Sequence, residues 1–181
     1  KVDYIDPALY RKYGVKRGLR DTNGTGVLVG LSTIGNVHGY VMDEGERKPV
    51  PGELYYRGIN VADIVQADRR EHRFGYEETA YLLLFGELPT SRELVDWKNR
   101  IGVRRKLSDG FKENAIMKHP PKDLMNALAR AVLFTYAYAD ESPDDISLQT
   151  CLKQSVDLIG SMPTMVAYAY QAKHHYHDGG P

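Results

Sequence analysis

Between Pro120 and His174 the chain carries two long apolar helical patterns joined by a short polar turn, and a chain built this way must bury the two patterns against each other. Pro120-Pro121 introduce the first, which runs to about Ala139. Leu124, Leu128, Val132 and Tyr136 form one face, and Met125, Leu133, Phe134 and Ala137 widen it. Only Lys122, Asn126 and Arg130 make a sustained polar stripe, so the helix needs cover on most sides. Ala127 and Ala131, four residues apart, leave room for a neighbour to approach closely. Residues 140–145 are polar and contain Pro143, which predicts a turn. The second pattern starts at about Ile146 with Leu148, Leu152, Val156 and Ile159 in register. It meets Pro163, which lacks a backbone donor and predicts a kink, and resumes through Met165, Val166, Ala169 and Tyr170. The expected class is mainly α, built on an antiparallel αα-hairpin.

Upstream, Asp6-Pro7 opening a run that closes at Gly14 predicts a small peripheral helix. Val27 to Ile34 is β-rich, and with the extended-looking Glu53 to Tyr56 it predicts one small hairpin or irregular sheet. Beyond Gly58 strand signals stop. Asn60 is placed to cap a helix over Val61 to Ala67, and a second helix over Tyr76 to Phe85 is stopped by Gly86 and Pro89. Thr90 caps the next, in which Leu94, Trp97 and Ile101 make one apolar stripe on a charged surface helix.

Lys plus Arg and Asp plus Glu number 24 each, so no net field attracts a polyanion, and nucleic acid is set aside as a partner. Cys151, the single cysteine, rules out an internal disulfide and fits a reducing, cytoplasmic compartment. No apolar run approaches the roughly 18 to 20 residues that cross a bilayer, and Lys1-Val2-Asp3-Tyr4 lacks the blocks of a signal peptide. The absent initiator Met points to a trimmed or processed chain.

Each motif with chemical potential has a plainer reading. Gly24-Thr25-Gly26 through Gly30 has the wrong spacing for a dinucleotide loop and precedes a strand. The calcium-loop likeness that starts at Asp21 fails at Ser32, where a bidentate carboxylate is needed. His174, His175 and His177 have no Cys or carboxylate in suitable spacing to complete a metal site, and His119 has no local nucleophile or acid and reads as structural. Cys151 is expected on the apolar side of its helix, as an inert thiol. Glu77-Glu78 and Asp144-Asp145 point apart and are expected to face water. The clusters Arg69-Arg70 with Arg73, and Arg104-Arg105-Lys106, could hold a coenzyme phosphate but read better as solvated surface.

Several motifs in order resemble the citrate synthases. These are Gly18-Leu19-Arg20 before the β-rich segment, Tyr56-Arg57-Gly58-Ile59-Asn60-Val61, and Phe74-Gly75-Tyr76-Glu77-Glu78-Thr79-Ala80-Tyr81-Leu82-Leu83-Leu84-Phe85-Gly86-Glu87-Leu88-Pro89-Thr90. His119-Pro120-Pro121 is similar to the family's His-Pro-Met, and residues 157–168 resemble its long helix around a proline. Linked motifs in sequence order are far more specific than one short pattern.

The resemblance implies a helical bundle-like part of the family's large domain, spanning residues 18–181, with a small hairpin near the N-terminus and residues 1–17 as an extension. It implies an enzyme that enolises acetyl-CoA, adds the carbanion equivalent to oxaloacetate and hydrolyses the thioester, with no metal. The family's two catalytic histidines and its aspartate are expected beyond Pro181, so no catalytic residue is assigned here and this segment is expected to be inactive alone. Arg20 occupies the place of an arginine that contacts coenzyme A phosphate, a job suited to a planar fork of donors. Arg57 also matches a family position and is read as structural. The resemblance further implies a homodimer through the helices at about 121–139 and 146–174, with the rest of the same enzyme as the other partner. The alternatives are a separate dimerising subunit that pairs with a catalytic half, and a 2-methylcitrate synthase.

Overall fold

Two pairs of residues, each ending in glycine, fix the sheet. The computed structural model describes residues 4–13, 15, 31–140, 142 and 144–181. Glu44-Gly45 (φ 49° and 83°) and Arg57-Gly58 (φ 50° and 84°) both hold positive φ at two successive positions, the requirement of a tight hairpin turn whose twist suits its strands. The first joins β1 (Gly35–Asp43) to β2 (Glu46–Tyr56), and the second joins β2 to the two-residue β3 (Ile59–Asn60). All pairs are antiparallel in the order β1-β2-β3. Register shifts between His38 and Tyr40, where Gly39 meets the longer stretch of β2.

The strand expected over Val27 to Ile34 can be compared only at its last four residues. Residues 27–30 lie outside the described residues, Leu31–Ile34 is not strand, and the pairing with β2 belongs to Gly35–Asp43. Every residue of β1 is exposed, so no buried face imposes the alternation that a sequence pattern can reveal.

By contact the chain divides into two compact units, residues 1–94 and 95–181. In the first, α1 (Pro7–Lys12) opens with the Asp6 carboxylate accepting from the Ala8 amide at 2.9 Å. The Asn60 side chain accepts from the Ala62 amide and starts α2 (Val61–Arg70), which runs three residues past its expected end. α3 (Tyr76–Phe85) has the expected bounds and closes on Gly86 at φ 89°. α4 (Ser91–Gly102) opens on a reciprocal cap: Glu93 accepts from the Thr90 amide at 2.8 Å and its hydroxyl at 2.7 Å, while the Glu93 amide donates to the Thr90 hydroxyl at 3.3 Å.

The second unit holds the larger core. A 3₁₀ turn (Val103–Arg105) and a π-helical segment (Lys112–Met117) lead to α5 (Leu124–Phe134), a 3₁₀ turn (Thr135–Tyr138) and α6 (Leu148–His177). The helix expected from Pro121 thus starts at Leu124, because the Asp123 carboxylate caps the Asn126 amide at 2.6 Å, and its last turn tightens to 3₁₀. Ser147 caps α6, and the helix continues through Pro163. Phe111, which precedes the π segment, and Ala115 and Ile116 within it pack with Ala131 of α5 and with Met165 and Ala172 of α6. Ala127 and Ala131 are both buried, as their spacing predicts for a close helix neighbour.

The expected stripe at the start of α6 is largely uncovered: Leu148 and Leu152 are exposed, Val156 is buried, and Cys151 is exposed rather than on a covered apolar side. Farther along, α6 and the end of α4 meet at Gly160. A methyl group there would stand 2.6 Å from Arg104 Cβ and 2.9 Å from the Ile101 carbonyl oxygen. Gly160→Ala should therefore cost about 1–3 kcal/mol in urea unfolding. Gly102→Ala, with open space around the new methyl, should be neutral or slightly stabilising, so equal losses at both sites would refute this packing account.

The Thr90 cap supplies a second test. Hydrogen bonds from the Thr90 amide and hydroxyl hold the Glu93 carboxyl below its ordinary pKa. Its stabilising effect is complete above that ordinary value and is lost as pH falls through the lowered one. Thr90→Ala should cost about 1 kcal/mol at neutral pH, and Glu93→Gln should flatten the acid limb of a stability-against-pH curve.

Candidate functional site

The residues that carry the family likeness act mainly on backbone oxygens. Arg57 donates from Nε (3.1 Å) and Nη2 (2.7 Å) to the Leu83 carbonyl, in the last turn of α3, where a carbonyl has no helical partner and a cation meets the negative end of the helix. The Arg57 amide donates to the Ile34 carbonyl at 2.8 Å, so a non-glycine residue at positive φ is held from both ends. That is the structural role its position in the sequence suggests. His119 and Pro120 offer carbonyls to Arg130 Nη2 (3.1 Å) and His177 Nε2 (3.2 Å), which ties the entrance of α5 to its own second turn and to the end of α6. In the 157–168 motif, the Thr164 hydroxyl donates to the Arg105 carbonyl at 2.8 Å, and Arg104 Nε donates to the Asp157 carboxylate at 2.6 Å.

The cationic clusters are partly spent on carboxylates. Arg73 pairs with Glu78, with Glu71 at 2.6 Å and with Asp68 at 3.0 Å, and bonds from Glu78 and Glu71 raise its pKa further. Glu78 is thus a half-buried partner of Arg73 rather than a group facing water. Asp145 is no bystander either: it accepts from the Thr150 hydroxyl at 2.6 Å and the Ser147 amide at 2.9 Å, which lowers its pKa. Sequence reasoning missed both pairings. The Glu71, Arg73, Glu78 spacing signals the first only once a turn is known to bring α2 and α3 together, and Gly75 permits that turn, since a methyl there would meet the Asp68 carboxylate at 1.7 Å.

Concavities are found in both units among the described residues. In the first unit a depression of about 550 Å³ is lined by Asn36, His38, Glu53 and Tyr55 beside Ser32 and Thr33. Its polar groups bond to one another: Asn36 Nδ2 lies 3.0 Å from His38 Nε2, and the Tyr55 hydroxyl donates to Glu53 at 3.0 Å, which raises the phenol's pKa. In the second unit a mainly apolar cleft of about 780 Å³ runs along Leu107, Phe111, Leu133 and Tyr136, with Arg104 and Lys153 around Asp157. No histidine lines it, and its Asp157 carboxylate is engaged by Arg104 and Lys153.

Of the sequence-based site residues, Arg20 lies outside the described residues. His174 stacks on Tyr170 with ring centroids 6.0 Å apart, and His175 meets Tyr176 edge to face at 4.8 Å. Among the described residues no three His, Cys, Asp or Glu side chains come together as a metal-ligating group, and no helix is long and apolar enough to cross a membrane.

Comparison with known proteins gives these scaffold contacts a context. Residues 18–180 match the family profile described as citrate synthase, C-terminal domain. The peroxisomal citrate synthase 1 of Arabidopsis thaliana is 31% identical over 134 residues, covering 67% of this chain and 26% of that protein. The 2-methylcitrate synthase of Shewanella oneidensis is 27% identical over 121 residues, covering 67% of this chain and 30% of that one. The chain thus spans less than a third of these curated relatives. In fold, 91% of it superposes on 36% of the Thermoplasma acidophilum citrate synthase, solved in ternary complex with carboxymethyl coenzyme A and oxaloacetate, at a TM-score of 0.62 and 24% identity. With a family profile matched over nearly its whole length and a mainly helical fold shared with a solved member, this chain belongs to the citrate synthase family.

Proposed function

We propose that this segment is the scaffold and subunit-contact part of a citrate synthase, the enzyme that condenses acetyl-CoA with oxaloacetate to give citrate and CoA. Enolising acetyl-CoA needs a base at the methyl group and donors for the enolate oxygen. The histidines and aspartate of that step are assigned to sequence outside these residues. The observation that carries the reading is that the motif residues Arg57, Asp157, Gly160 and Thr164 serve backbone and helix contacts, while the large cleft holds no histidine. Acetyl-CoA is a substrate, and Arg20 is assigned to the phosphate of its coenzyme A moiety. The relative that makes 2-methylcitrate supports propionyl-CoA as the competing donor. The single cysteine supports a reducing, cytoplasmic location.

A homodimer through α5 and α6 belongs to the same reading. Met125 and Leu133 on α5, and Leu148 and Tyr170 on α6, are more than half exposed, an apolar display suited to a subunit contact.

Two measurements test this reading. The purified 181-residue chain, incubated with acetyl-CoA and oxaloacetate, should form no citrate above the buffer background by mass spectrometry, and turnover would overturn the proposal. Sedimentation at micromolar concentration should show a dimer that Leu133→Glu converts to monomer with unchanged helical circular dichroism. A parent chain that is already a well-behaved monomer would refute the interface.

A further inference from the structure

We draw no further inference here: the strongest candidate, the mainly apolar cleft between the 103–107 segment, the C-terminal end of α5 and the middle of α6, has its Arg104 and Lys153 already paired with Asp157, and nothing in the structure shows what covers it.

Discussion

The second unit depends on one seam, where α6 lies against residues 101–105. Asp157, Gly160 and Thr164 stand three and four residues apart and so share one helical stripe. The first holds Arg104 by its carboxylate, the second supplies the missing side chain that lets the backbones approach, and the third bonds the Arg105 carbonyl. These contributions differ in kind. Arg104 and Asp157 are each more than a third exposed, so their ion pair contributes at most about 1 kcal/mol. The close approach at Gly160 is a steric condition: the charge pair and the hydroxyl bond reach their partners only because nothing projects from that position.

Buried and uncovered stretches alternate along α6 with its partners, which are residues 101–105 at Gly160 and the Phe111–Ala131 core at Met165 and Ala172. Val156, Gly160, Met165, Ala169 and Ala172 are buried, and small residues dominate the list, which suits helices brought close together. The opening turns, with Leu148 and Leu152, lie beyond these contacts and keep their apolar groups in solvent.

Much of the helical scaffold was legible in the sequence because its signals are local. Asn60, Gly86 and Thr90 each act on backbone groups within a turn of themselves, so residue type and spacing suffice to place the end of a helix. The sheet was less legible: Glu44-Gly45 marks the turn, but β1 is exposed throughout and leaves no hydrophobic alternation to follow. The π-helical segment that delivers Ala115 and Ile116 to the core departs from the ordinary helical period, so no periodicity search finds it. Glu78 and Cys151 were misplaced for a shared reason, since the neighbour of one and the absence of cover over the other depend on tertiary structure. The candidate site was the least legible part: the family motifs identify the chain, while the work of Arg57, Asp157 and Thr164 becomes clear only when their partners are known.

The bond from Arg57 to the Leu83 carbonyl has an asymmetry built into it. Every amino acid carries a carbonyl oxygen, so the acceptor could change its identity many times over and the bond would survive. The donor has no such latitude, because a planar, permanently charged fork is needed to grip one oxygen with two nitrogens. Mutational tolerance across this contact should therefore be lopsided, permissive on the helix and strict at the turn.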